Sequence, residues 1–276
     1  MTETSLRYAF STLACPRWSI EQVADAAVQM GYAAVELRLL DGEIIDPVAD
    51  RSRVTQAVSF CRARNVDICA FGSSCTFNHA DARERERQLG ALLHWIELAH
   101  HLSVPIIRVF GGRGNGGGGD EAEENGWVAH TLRHAVPEAK HAGVIVALET
   151  HDAFSSARRV AAVLREVNAP SVAALWDSHH PYECGESADE VVQLLDGRIA
   201  HAHAKDARRT APGADTWQLV PIGEGEVPVA EMLAALKRHG YAGYVSVEWE
   251  KKWHPDLAEP EVALPQHIAW LKALAL

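Results

Sequence analysis

Eight short runs of apolar, β-branched and aromatic residues alternate with amphipathic stretches along this chain, and that alternation limits the possible folds more than any other feature. The runs are Tyr8–Ser11, Ala33–Leu37, Val66–Phe71, Ile106–Phe110, Val144–Glu149, Val172–Asp177, Ile199–His203 and Tyr244–Glu248. Each is too short for a helix and reads as a strand buried on both faces. Strand, helix and strand repeated in this way predict a parallel sheet covered by helices.

The last four runs end on Glu149, Asp177, His203 and Glu248, with gaps of 28, 26 and 45 residues between them. The first two gaps fit one strand-plus-helix repeat, and the third fits a repeat with a long loop. In a closed barrel, successive strand ends meet around one mouth. An open sheet would spread them along a line. Ser11–Trp18, after the first strand, also lacks the glycines of a nucleotide-binding turn. The reading is therefore α/β: a (β/α)8 TIM barrel, with residues 1–276 as a single domain, a usual length for that fold.

Helix signals agree with this. Ser19 and Gln22 have capping-box spacing at the start of Ile20–Met30. Gly31, Gly143 and Gly240 each stand between a helical stretch and a strand, where a left-handed C-cap belongs. Pro228 sits in the first turn of a helix over Ala230–His239.

Composition narrows the function classes. A net charge of −11 repels phosphate backbones, so nucleic acid is not an expected partner. Five cysteines without a CxxC pair fit reduced thiols in the cytoplasm. Neither a secretion signal nor a membrane span is expected.

Three carboxylates and one imidazole form a hard, mostly oxygen donor set, suited to one divalent ion such as Mn²⁺, Mg²⁺ or Co²⁺. Strands five and eight lie across the mouth, so Glu149 and Glu248 can flank a substrate. One glutamate can remove the proton beside a carbonyl while the other returns it to the opposite face, giving an epimer. Return to the adjacent carbon gives an isomer.

Other residues are candidates for substrate contact. His180 follows Asp177 closely, and His151 lies two after Glu149. Glu36 and Arg38 close strand two with one orientation and can bind substrate hydroxyls or each other. His201 faces the same way as His203, as support behind that ligand or as a core residue. The segment Ala204–Glu224 carries Lys205, Asp206, Arg208, Arg209 and Trp217; it reads as a cover for substrate or as a solvated loop. Gly111–Gly119 reads as a plain loop rather than a phosphate cradle, because no GK[ST] follows. Trp176, Trp217, Trp249 and Trp253 are candidates to wall the pocket, with Trp18 a weaker one.

Taken in order, Gly31-Tyr-Ala-Ala-Val-Glu36, Glu149-Thr-His151, Asp177-Ser-His-His180, His201-Ala-His-Ala-Lys-Asp206 and Gly243-Tyr-Val-Ser-Val-Glu248 resemble the xylose-isomerase-like TIM barrels over essentially the whole chain. That group includes sugar phosphate isomerases and ketose 3-epimerases. The resemblance implies one divalent ion, typically Mn²⁺, with Zn²⁺ also compatible, held by Glu149, Asp177, His203 and Glu248. It implies that the two glutamates are the acid/base pair, and that His180 and Arg209 contact substrate. Lys205-Asp206 and the stretch Glu248 to Pro255 match a broad branch of the group better than the free-ketose epimerases.

The expected function is a metal-dependent isomerase or epimerase of a small polyhydroxylated carbonyl compound: a sugar, a sugar phosphate or an inosose. The alternative is a lyase on the same scaffold, resembling inosose or dehydroshikimate dehydratases or enzymes that cleave 3-oxo-glycosides. A three-zinc DNA repair nuclease conflicts with the acidic charge, and a non-catalytic barrel conflicts with the complete ligand set. Related barrels form dimers or tetramers, so a homo-oligomer is compatible.

Overall fold

The computed structural model describes residues 6–113 and 118–274. Eight parallel strands close into a barrel: β1 (Arg7–Ser11), β2 (Ala34–Leu37), β3 (Asp67–Gly72), β4 (Ile106–Phe110), β5 (Ile145–Glu149), β6 (Val172–Asp177), β7 (Ile199–Ala204) and β8 (Tyr244–Val247). Closure comes from β1, which pairs with both β2 and β8. The expected (β/α)8 barrel is the observed architecture, and strand limits agree with the sequence reading to within a residue or so. Glu248 lies one residue past β8.

Helices between the strands form the outer layer. Ser19 and Gln22 complete the capping box of helix Ile20–Met30, and Gly31 stops it at φ 79°. Gly143 plays the same part after helix Glu121–Ala142, at φ 68°. The helix after Pro228 spans Val229–Arg238, with Pro228 itself at the cap.

The period of two divides each strand between two environments. Outward residues such as Phe71, Ile107, Leu148 and Trp176 join the main core against the helices. Fully burying such a side chain stabilises by about 1.5–3 kcal/mol. Inside the barrel the lower residues are small or apolar, as in Ala9, Ala34 and Cys69, and in Ala70, Ile106, Ala147 and Leu175. Above them the inward positions turn polar, with Glu36, Arg108, Glu149, Asp177 and His203 all buried. Polarity is thus concentrated at the C-terminal mouth, the functional end of this architecture.

The segment after β7 is not a simple loop. Asp206–Arg209 and Trp217–Val220 pair antiparallel as a hairpin. A smaller hairpin, Leu39–Leu40 with Glu43–Ile44, follows β2. Among the described residues no helix is long and apolar enough to cross a membrane. Part of the glycine-rich run, residues 114–117, lies outside the described residues. Gly111 and Gly112 are closely packed, since an added methyl would strike Phe154 and Asn78 respectively.

Candidate active site at the barrel mouth

Glu149, Asp177, His203 and Glu248 converge, with one donor atom from each lying within 4.8 Å of the others. Strand register explains the meeting. Asp177 pairs with His203 across β6 and β7, and His203 pairs with Ser246 of β8, two residues before Glu248. Glu149 ends β5 on the far side.

His203 is the hub. Its Nδ1 lies 3.1 Å from Glu149 Oε1, 3.3 Å from Glu248 Oε1 and 3.9 Å from Asp177 Oδ2. Its Nε2 points the other way, 2.9 Å from Glu36 Oε2. The same Glu36 oxygen lies 3.0 Å from His201 Nε2. Glu36 and His201 are fully buried beneath the four convergent residues. Glu36 therefore supports His203 from behind and lines neither opening of the mouth. This arrangement differs from the hydroxyl contact, or pairing with Arg38, expected from sequence.

Two cations balance the carboxylates. Lys205 Nζ lies 2.5 Å from Glu248 Oε2, 2.6 Å from Glu250 Oε1 and 3.1 Å from Asp177 Oδ2. Arg108 Nε lies 3.3 Å from Glu149 Oε2. Burial alone would raise the Glu149 carboxyl, but Arg108 and His203 outweigh it and hold the group below its ordinary range. For Glu248, burial is outweighed by Lys205 and His203, and the carboxyl lies well below its ordinary value. Asp177 is lowered likewise, chiefly by Lys205 and His180 against burial. The mouth therefore presents ionised carboxylates near neutral pH.

The donor set fits a divalent cation. Glu149 Oε2, Asp177 Oδ2 and Glu248 Oε2 are buried and accept no hydrogen bond from the described residues, although Arg108 or Lys205 supplies charge nearby. Three hard oxygens and one imidazole nitrogen suit such an ion. Glu36 behind His203 is the carboxylate that commonly backs a ligating histidine.

Two adjoining pockets, of about 440 and 490 Å³, share His151 and Glu250 at the mouth. The first reaches Glu248, Arg38 and Arg108, and the second holds Lys205, His179, His180 and Trp217. His151 and His180 meet with ring centroids 4.5 Å apart. His179 packs on Trp217 at 5.0 Å, and burial lowers its pKa to about 4, so it is neutral near pH 7. A groove of about 740 Å³ along Arg158, Arg159 and Arg165 touches His180 but none of the four convergent residues.

Of the sequence candidates, His151, His180 and Lys205 line the mouth together with Glu248. Arg209 lies outside both pockets: its Nη1 donates to Ala214 O, and its guanidinium rests 4.5 Å over Trp217. Trp253 lines the first pocket and is 47% exposed, whereas Trp176 and Trp249 are buried. Arg108 and Glu250 were not expected. A charged residue inside the otherwise apolar run Ile106–Phe110 was the available signal for Arg108. Arg38 is buried, donating through Nη1 to Gly72 O and Ser74 Oγ, and burial beside Arg108 lowers it to about 9.

A family model described as xylose isomerase-like TIM barrel matches residues 24–274. Solved structures share the fold. One is the IolI protein with a bound zinc atom, with a TM-score of 0.79 at 18% identity over 98% of this chain and 96% of that one. The 3-keto-D-glucoside 4-epimerase YcjR from E. coli gives 0.77 at 16% identity, over 98% of this chain and 100% of that one. The probable 3-DHS dehydratase AsbF from Bacillus anthracis gives 0.76 at 17% identity, over 97% of this chain and 99% of that one.

Proposed function

Because this chain belongs to the xylose isomerase-like TIM barrel family, we propose that it is a divalent-metal-dependent isomerase or epimerase acting on a small polyhydroxylated carbonyl compound. One observation carries the reading: Glu149 and Glu248, from strands three apart, approach the same nitrogen of His203 at 3.1 and 3.3 Å. Two ionised carboxylates so placed can face opposite sides of one reacting carbon.

Glu149, Asp177, His203 and Glu248 would hold the ion, Mn²⁺ by preference, with Mg²⁺, Co²⁺ or Zn²⁺ as alternatives. Its chemistry there would be to polarise the substrate carbonyl and so acidify the neighbouring C–H. One ionised glutamate removes that proton. The other, after taking up a proton from solvent, delivers it to the opposite face, or to the adjacent carbon while the hydroxyl proton passes to the former carbonyl oxygen. The first glutamate then releases its proton to solvent. His151 and His180 offer ring nitrogens to substrate hydroxyls. Lys205 keeps Glu248 ionised, and Trp217 walls the second pocket. The buried free thiols Cys15, Cys61, Cys69 and Cys75 suit a reducing cytoplasm.

Elimination is the second reading, favoured by Lys205. Its ammonium group, 2.5 Å from Glu248 and 3.1 Å from Asp177, could hydrogen-bond a leaving oxygen, which would take its proton from the glutamate that deprotonated the carbon.

The test begins with metal content by mass spectrometry on untagged protein and on Glu149→Gln. About one ion per chain in the parent, lost in the variant, supports the site. Ketoses, inososes and 3-oxo-glycosides are then incubated in D₂O with that ion. Deuterium beside the carbonyl in a rearranged product supports isomerisation, and loss of water or an aglycone supports elimination. A parent that takes up no ion, even from Mn²⁺ solution, overturns the reading.

A further inference from the structure

Proton transfer by Glu149 and Glu248 leaves two guanidiniums at the mouth unexplained. Arg108 is 1% exposed, and its Nε and Nη1 make no hydrogen bond among the described residues. Arg38 is 6% exposed and lines the same 440 Å³ pocket. Gly72 lies against both: a methyl there would stand 3.1 Å from Arg108 Nη2 and 3.1 Å from Arg38 Cδ. The bare backbone leaves room for the two side chains to stand together.

Side-by-side guanidiniums repel, and buried N–H groups without acceptors are costly. Glu149 offsets part of the charge, but that carboxylate also serves the ion and the proton transfer. The other acidic residues of this pocket are engaged: Glu248 and Glu250 with Lys205, and Asp152 with His151. Arg108 therefore keeps buried donors without acceptors on a wall that Arg38 shares. Guanidinium forks match the spacing of carboxylate and phosphate oxygens, so an oxyanion would satisfy those donors.

We propose that Arg38 and Arg108 form a subsite for an anionic group of the substrate, a carboxylate or a phosphate, so that the favoured substrate is a polyhydroxylated carbonyl acid or phosphate rather than a neutral sugar. The inference rests on reading the mouth as a substrate site.

The test is calorimetric binding to the full-length protein, supplied with Mn²⁺, of three related probes: D-fructose, D-fructose 6-phosphate and 2-keto-D-gluconate. At least one charged probe should bind about tenfold or more tightly than fructose, and whichever does so identifies phosphate or carboxylate as the partner. Arg38→Gln should weaken the favoured charged probe by a clearly larger factor than fructose and so abolish most of that preference, and Arg38→Lys should restore part of it. Equal affinities in the unsubstituted protein, binding of none of the probes, or an equal loss for charged and neutral probes in Arg38→Gln would each overturn the proposal. The unsubstituted comparison stands even where Arg38→Gln fails to fold. Metal content is read separately: a protein without an ion that still prefers the anion keeps this subsite and loses the isomerase reading.

Discussion

Glu36 Oε2 lies 2.9 Å from Nε2 of His203, on the side of the ring opposite the three convergent carboxylates. Against burial, the surrounding carboxylates raise the His203 pKa well above its ordinary value. An ion would displace the Nδ1 proton, and donation from Nε2 to Glu36 would then leave Nδ1 as a lone-pair donor directed at Glu149, Asp177 and Glu248, the form a metal ligand requires. Burial would raise the Glu36 carboxyl, but His203 and His201 outweigh it and hold the group below its ordinary range. Glu36→Gln should therefore weaken metal affinity about 10–100-fold, as is usual for a carboxylate behind a ligating histidine. Competition against a chelator of known affinity measures this, with circular dichroism as the check on folding. An unchanged affinity would mean that the strand backbone alone orients the ring.

Glu248→Gln removes a charge while keeping the shape of the side chain. The wild-type carboxyl is held ionised by Lys205 and His203 against burial, so it can accept a proton at neutral pH. Turnover should fall by roughly 10²–10⁴-fold, the range for loss of an acid/base group. Thermal unfolding should stay cooperative. Turnover at the wild-type rate would remove Glu248 from this role.

The barrel was legible because its strands are short, apolar and regularly spaced, so that length and period agreed. The four convergent residues were legible because each closes such a run. Arg108 was hidden inside a run whose apolar neighbours define the strand, and it meets Glu149 through the pairing of β4 with β5, where its register partner is Ala147, two residues before Glu149. Glu36 was read as sharing an orientation with Arg38. Its capture by two histidines 165 and 167 positions away depends on barrel closure. The hairpin after β7 was missed because Asp206–Arg209 is mostly charged and has weak strand propensity.

That hairpin has a local cause. Asp206 Oδ1 accepts from the backbone N–H groups of Ala207 and Val227, and Oδ2 from those of Gly223 and Gly225, at 2.8–3.1 Å. Gly225 leaves the space, since a methyl there would stand 2.0 Å from Asp206 Oδ1. Asp206→Ala would strand these donors in a partly buried turn, at a cost of roughly 2–4 kcal/mol. Hydrogen exchange should quicken first at Gly223, Gly225 and Val227, and chemical denaturation gives the loss. Protection equal to wild type at those amides would show that the hairpin holds itself.

Acid should weaken the fold through His267. This ring is 1% exposed, its Nδ1 accepts from Ile222 N–H at 3.2 Å, and Trp249 packs against it at 5.1 Å. Burial lowers its pKa from 6.5 to about 4, so the folded state holds it neutral where the unfolded chain would already be protonated. Its stabilising contribution is complete above about pH 6.5 and declines as pH falls toward 4, below which it is lost. At about 1.4 kcal/mol per unit, the difference is on the order of 3 kcal/mol. Carboxylates also titrate in this window, so the informative quantity is the gap between wild type and His267→Gln, whose side-chain oxygen still offers Ile222 an acceptor. The variant should be less stable at pH 7, and denaturation at successive pH values should show the gap closing by most of that amount at pH 4. A gap that stays constant from pH 7 to pH 4 would mean that His267 does not resist protonation in the fold.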